Sequence, residues 1–100
     1  GDYPQALTYM KKALELCQRT LPENHPSIAT SHNNIAMVYS DMGDYRQALT
    51  YHKKALECFQ RTLPENHPDI AISHNNIAIV YSTMGDYRHA LTHHKKALEL

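Results

Sequence analysis

Apolar and aromatic side chains recur along the chain at three- and four-residue steps, which is the spacing of one face of an α-helix. Between residues 44 and 62 this stripe consists of Tyr45, Ala48, Leu49, His52, Ala55, Leu56 and Phe59. Between residues 26 and 42 it consists of Ile28, His32, Ile35, Ala36, Tyr39 and Met42. No stretch alternates apolar and polar residues for long, as a half-buried strand would. The pattern predicts an all-α protein with five helices, at about 2–20, 26–42, 44–62, 68–84 and 86–100.

Residues that favour helix ends punctuate these stripes. Asp44 suits an N-cap, and Gln47 three residues later completes a pair that resembles a capping box. His25 precedes Pro26, and a residue before proline is held in the extended geometry that an N-cap needs. Gly43 follows a predicted helix and suits a left-handed C-terminal cap. The short connections between these signals predict that consecutive helices run antiparallel.

The whole pattern repeats with a period of 42 residues. Residues 1–42 and 43–84 differ at eight positions, and residues 85–100 match 43–58 at 13 of 16 positions. Such self-similarity is typical of a solenoid, in which each unit buries its apolar face against its neighbours. Because no enzyme site needs the same segment repeated, the repeat favours a binding scaffold over a catalyst.

The residues from 32 to 52 resemble the tetratricopeptide repeat. The family pattern W-x2-L-G-x2-Y followed by A-x3-F reads here as His32-x2-Ile35-Ala36-x2-Tyr39 and Ala48-x3-His52. Residues 74–94 repeat it, and histidine replaces both large aromatic residues of the pattern. The period, the Asn-His-Pro turn and the Asn-Asn-Ile-Ala run are similar to the long repeats of kinesin light chains. HEAT and armadillo repeats have similar periods but lack the Gly-Asp-Tyr junction, so these two families fit the sequence less well.

This resemblance implies a right-handed α-solenoid of antiparallel helix pairs. Residues 1–100 would form a single array, with helix-pair units at 26–62 and 68–100 preceded by a helix at 2–20. We expect this array to be a piece of a longer protein. In the family, the first helix of each unit lines a concave groove that holds a partner, and the second helix forms the outer wall.

The first helices of the two units differ along one stripe. Their differing positions are 27/69, 30/72, 37/79 and 41/83. At ~100° per residue they fall within an arc of roughly 80°, nearly opposite the apolar stripe. This variation fits a recognition groove tuned unit by unit, and it fits equally a solvated face that drifts freely. Both interpretations place the stripe on the surface.

Paired asparagines lie within or beside the variable stripe. An amide offers two donors and an acceptor, which can pair with the backbone of an extended peptide. Alternatively, one asparagine of each pair bonds the neighbouring helix. The candidate residues for binding a partner are Thr30, Asn33, Asn34, Met37 and Asp41 in the first unit, and Ile72, Asn75, Asn76, Ile79 and Thr83 in the second. Because 27–42 and 69–84 contain no Lys or Arg, a clamp for an acidic C-terminus is not expected.

Charge and composition narrow the partners and the chemistry. Ten Lys+Arg balance ten Asp+Glu, which argues against nucleic acid or an anionic membrane as the partner. The lysine pairs at 11–12, 53–54 and 95–96 are expected to form weak ion pairs with glutamates of their own helices. His89 and His93 stand four residues apart, a spacing that can share a metal, but no Cys or acidic residue completes a site. We expect no catalytic residue, no metal and no cofactor.

The sequence therefore predicts a scaffold for protein–protein interaction that binds a peptide or partner segment in its groove. Two cysteines without disulfide or metal spacing suggest a reducing, cytoplasmic setting. The alternative function is a structural spacer that self-associates end to end. That alternative rests on the helices at 2–20 and 86–100, which carry the apolar stripe of an interior helix and no polar cap.

Overall fold

A computed structural model describes residues 2–100 and contains five helices. They are α1 (Tyr3–Thr20), α2 (Pro26–Asp41), α3 (Tyr45–Thr62), α4 (Pro68–Thr83) and α5 (Tyr87–Leu98). No strand occurs among the described residues. The predicted all-α organisation is confirmed, and each helix begins and ends within two residues of its predicted bounds.

Each helix begins at a side-chain cap that the repeat supplies. The carboxylates of Asp2, Asp44 and Asp86 accept hydrogen bonds from the backbone N–H three residues later, at 3.2–3.3 Å. Before α2 and α4, His25 and His67 accept through Nδ1 from the N–H two residues later, at 3.1 and 3.0 Å. A cap gives a partner to one of the N–H groups that a helix start leaves unpaired. The caps therefore fix where each helix begins.

Two glycines end α2 and α4 in the left-handed conformation. The φ angle is 83° at Gly43 and 84° at Gly85. The following residue, Asp44, then donates its N–H to the carbonyl of Tyr39 at 2.9 Å, which closes the end of α2. Met42 was expected in the apolar stripe, but it is 42% exposed, because it lies at the C-cap beyond the last packed turn.

Each helix packs mainly against the helices next to it in the chain. Thus α2 lies between α1 and α3, and α4 lies between α3 and α5. We call α2 and α4 the two-helix layer, and α1, α3 and α5 the three-helix layer. The Cα atoms of the described residues span 34 × 32 × 15 Å, a flat shape that suits two layers of helices. Since the chain alternates between layers, α2 and α4 run in the same direction.

The same core recurs at successive junctions between the layers. Leu7 and Leu14 of α1 pack with Ile28 and Ile35 of α2. One period later, Leu56 of α3 and its neighbours pack with Ile70 and Ile77 of α4. Ile35 is completely buried, as is its counterpart in α4. Burying such a side chain contributes about 1.5–3 kcal/mol, so each first helix is held by apolar contacts on both sides.

We expect Gly43→Ala to lower the free energy of unfolding by about 1–2 kcal/mol, because a side chain disfavours the left-handed backbone. Space is not the cause, since a Cβ at this position would meet no atom within 4 Å. The matched variant Gly43→Asn should cost less, because asparagine tolerates this conformation, as Asn24 does at φ 63°. Urea unfolding followed by circular dichroism measures both, and an alanine variant as stable as the parent would contradict the assignment.

Candidate peptide-binding groove

The variable stripe lies on the free face of the two-helix layer. Met37, Ile72 and Ile79 are 58%, 53% and 57% exposed, so three large apolar side chains stand in solvent on this face. Five further candidate residues are also exposed: Thr30, Asn34, Asp41, Asn75 and Thr83. The packed sides of α2 and α4 face α1, α3 and α5, so these residues point away from the core. The predicted surface position of the stripe is confirmed.

A shallow pocket of about 190 Å³ lies between α2 and α4 on this face. Residues of both units line it: Met37, Ser40 and Asp41 from α2, with Asn76, Ile79 and Val80 from α4. His52 of α3 also lines the pocket, from beneath the two helices. The fold thus brings four of the predicted candidates from two different units to one place. We call the free face of α2 and α4, with this pocket, the groove.

The two asparagines of each pair have different surroundings. Asn33 Oδ1 lies 2.9 Å from His52 Nδ1, and Asn75 Oδ1 lies 3.1 Å from His94 Nδ1. Because an amide oxygen only accepts, the histidine Nδ1 must be the donor. Asn33 and Asn75 therefore tie each first helix to the second helix of its own unit, which is the alternative considered from the sequence. Asn76 lines the pocket.

His52 is a groove residue that the sequence reasoning missed. Its side chain is 3% exposed, and this burial lowers its pKa to about 4. The ring is therefore neutral at pH 7, and with its proton on Nδ1 the Nε2 atom is an acceptor. The sequence assigned this position to core packing alone. The sequence did contain a signal for this contact: the polar residues Asn33 and His52 stand 19 positions apart, and Asn75 and His94 repeat that spacing.

His32 and His74 occupy a large-aromatic position of the repeat and are packed as expected, at 8% and 6% exposure. The His32 ring lies 5.9 Å from the ring of Tyr51. In the next unit His93 replaces that tyrosine, and its Nδ1 lies 3.1 Å from His74 Nδ1. Two ring nitrogens at this distance share one proton, so one donates and the other accepts. Burial lowers the pKa of His74. Burial and the neighbouring His74 lower the pKa of His93 to about 4.

The lysines bond differently from the expected pairing with glutamate. Lys11 Nζ donates to Tyr39 Oη at 2.7 Å, and Lys53 Nζ donates to Tyr81 Oη at 3.0 Å. The hydrogen bond to Tyr39 raises the pKa of Lys11. The glutamates pair instead with arginines four residues later, Glu15 with Arg19 and Glu57 with Arg61, each at 2.6 Å. The lysine–tyrosine bonds thus link α1 to α2 and α3 to α4.

Two larger hollows, of about 420 and 410 Å³, lie on the side of the three-helix layer. Their linings are largely equivalent positions of successive repeats: Gln18 and Gln60, Glu23 and Glu65, Ile28 and Ile70, His32 and His74, Lys54 and Lys96, and Glu57 and Glu99. They are one feature of the repeat present twice. The groove differs from them because its lining changes from unit to unit.

Other kinds of site find little in the described residues. Across residues 2–100, no group of three or more His, Cys, Asp or Glu side chains is arranged to hold a metal ion. His89 Nδ1 lies 2.7 Å from Asp86 Oδ2, an interaction within one helical turn. Within the same part of the chain, no helix combines the length and apolarity that a membrane span requires.

The buried histidines predict that acid destabilises the fold. His52, His74 and His93 have lowered pKa values in the folded chain, whereas in the unfolded chain they take protons below about pH 6.5. Stability is therefore full above about pH 6.5 and declines as the pH falls towards about 4. We expect the melting temperature to drop by at least about 8 °C between pH 7 and pH 5, because His52 alone loses roughly 2 kcal/mol of stabilisation over this range.

The variant His93→Tyr supplies the control for this pH dependence, because tyrosine stands at the equivalent position 51. The substitution removes one titrating ring and the shared proton while keeping an aromatic side chain. Thermal melts followed by circular dichroism should show a smaller drop between the two pH values. An equal drop in the variant and the parent would contradict the role of this histidine pair.

Comparison with known proteins agrees with this geometry. The family model of the tetratricopeptide repeat matches residues 1–61 and 27–100. None of the curated proteins compared with the sequence matches it. The crystal structure of BtubC (BKLC) from P. vanneervenii is similar, with a TM-score of 0.90 and 29% identity, over 99% of this chain and 39% of that chain.

A second solved structure is the Podosopora anserina putative kinesin light chain with nearly identical TPR-like repeats. Its TM-score is 0.84 and its identity 22%, over 97% of this chain and 46% of that chain. The present chain therefore spans less than half the length of either protein. Tetratricopeptide repeats generally mediate protein–protein interaction or act as structural repeats, and the fold is a non-catalytic scaffold. Since the family model covers the whole length, the chain belongs to the tetratricopeptide repeat family and is similar to the repeats of kinesin light chains.

Proposed function

We propose that this chain is a protein-interaction module that holds a peptide or partner segment in the groove. The observation that carries this proposal is a coincidence of two properties on one face. Two of the four positions at which the first helices of the units differ, 30/72 and 37/79, carry the exposed side chains of Met37, Ile72 and Ile79. Exposed apolar side chains grouped on one surface mark interaction sites. A face that merely drifted in solvent would have no reason to gain large apolar residues.

Polar groups beside the apolar ones suit an extended backbone. Asn34 is exposed and Asn76 lines the pocket, and each amide can both donate to and accept from a peptide group. A bound segment would therefore place side chains over Met37 and Ile79 while its backbone bonds the amides.

The double variant Asn34→Ala with Asn76→Ala tests this arrangement. An array of synthetic peptides about 15 residues long supplies the probe, and calorimetry with its strongest binder measures the affinity. Losing two amide contacts of about 0.5–1.5 kcal/mol each should weaken binding by about tenfold. The fold should remain intact, because neither side chain belongs to the apolar core.

A matched control lies on the exposed side of the three-helix layer. Thr50→Ala with Thr92→Ala also changes two equivalent, exposed positions, and it should leave the affinity unchanged. Equal affinity of the asparagine variant and the parent, or an equal loss in the threonine control, would contradict binding in the groove. An array without any binder would favour the structural spacer.

A second candidate function, self-association, is favoured by apolar residues at the two outermost helices. Leu91 and Leu98 of α5 are 55% and 87% exposed, whereas at the equivalent positions of α3 Leu49 is partly buried and Leu56 is 9% exposed. On α1, Tyr9 and Leu16 are 63% and 62% exposed. These faces match those that interior helices bury against their neighbours. A second copy of the 100-residue chain would cover them.

Both cysteines are free thiols, so we also propose that the protein is located in the cytoplasm, which is a reducing compartment.

Light scattering after gel filtration tests self-association. The 100-residue chain should form species larger than a monomer at about millimolar concentration, where even weak interfaces associate. Leu91→Lys with Leu98→Lys should return it to a monomer, while Thr50→Lys with Thr92→Lys should not. A parent chain that stays monomeric throughout would argue against this candidate.

A further inference from the structure

The two layers differ sharply in charge although the chain as a whole is neutral. All ten Lys and Arg residues lie on α1, α3 and α5: Lys11, Lys12, Arg19, Arg46, Lys53, Lys54, Arg61, Arg88, Lys95 and Lys96. The helices of the two-helix layer carry no cation, and their only charged residues are Asp41 and Asp69. The net charge of the whole sequence is zero, yet the two helices that form the groove carry no Lys or Arg at all.

The helix ends add to this electronegative character. The C-terminus of an α-helix carries a partial negative charge on its last carbonyl groups, which at α2 and α4 is reduced by the backbone N–H groups of the following turn. In α1, α3 and α5 the last turn holds a Lys or Arg that offsets this charge, but the last turns of α2 and α4 hold none. Because α2 and α4 run in the same direction, their C-terminal ends, which carry no Lys or Arg of their own, lie at the same edge of the groove. The Nζ atoms of Lys11 and Lys53, from the other layer, are bonded to Tyr39 and Tyr81 in these last turns. Asp41, in the last turn of α2, also lines the pocket.

The apolar part of the groove sets the rest of the chemistry. Met37 and Ile79 lie at the pocket, with Ile72 more than two turns before the end of α4. A partner gains by covering these side chains, and an acidic partner would lose hydration at its carboxylates without meeting a cation in return. A partner with Lys or Arg near its apolar residues meets the carboxylate of Asp41 at the pocket instead.

We infer that the groove selects segments that combine apolar side chains with positive charge, and that it discriminates against acidic segments. This inference rests on the proposed function and names the class of partner for that same site. The apolar side chains would lie over Met37, Ile72 and Ile79. The cationic groups would lie towards the edge formed by the C-terminal ends of α2 and α4.

Three synthetic peptides of about 15 residues test the selection, with one shared pattern of leucines and either Lys, Gln or Glu at all other positions. Fluorescence anisotropy gives the affinity of each peptide for the 100-residue chain. The lysine peptide should bind at least about tenfold more tightly than the glutamate peptide at about 50 mM salt. The preference should shrink at about 300 mM salt, since screening weakens charge contacts.

Charge reversal in the groove locates the effect. Asp41→Lys with Thr83→Lys alters equivalent exposed positions on α2 and α4, and should abolish or invert the preference. Lys54→Glu with Lys96→Glu reverses two charges on the opposite layer, and should leave the preference of the groove in place. Comparing the two variants shows whether the preference for lysine depends on the charges of the groove or on the charge of the chain as a whole.

The outcomes distinguish the two proposals. Equal or tighter binding of the glutamate peptide, or a lysine preference unchanged by Asp41→Lys with Thr83→Lys, overturns the inference and leaves groove binding standing. Tightest binding of the glutamine peptide would also overturn the inference, because positive charge would then not favour binding. If none of the three peptides binds, the proposed binding of such segments fails, and the inference fails with it.

Discussion

The burial of each first helix between two second helices is the contact on which the rest of the structure depends. Ile35 and Ile77 are its centre, with no exposed surface, and leucines of the flanking helix complete each junction. Because α2 and α4 are each packed between two neighbouring helices, only one face of each remains exposed. That face is the groove, so the core decides where a partner can bind before any polar residue is considered.

Much of this arrangement could be predicted from particular residues. The aspartate and histidine caps, the left-handed glycines and the apolar steps fixed five helices to within two residues, because these are local effects. The exposed stripe was predictable since repeats can differ only where packing allows. The buried bond from Asn33 to His52 was not predictable, because it joins positions 19 residues apart in different helices. The lysine–tyrosine bonds also depend on how neighbouring helices lie together, which periodicity alone does not state.

Charge shows how a sum over the sequence can mislead. A balance of zero excludes a strongly basic protein, yet it says nothing about how charges divide between faces. The positions of Lys11, Lys53 and Lys95, each on the second helix of a repeat, already contained the division. It acquires meaning only when α1, α3 and α5 are known to share a layer. The groove and the opposite side then present different chemistry to any partner.

The alternating order of packing has a mechanical consequence. Since α2 and α4 are joined mainly through α3, the width of the groove follows from two independent angles, one at each junction. A slight rotation at the junction between units, where α3 meets α4, would open or narrow the cleft while the apolar contacts within each unit stay in place. In a longer array such rotations would add up and change the pitch of the superhelix. A ligand that bridges two units would fix the rotation between them, and with it the local pitch.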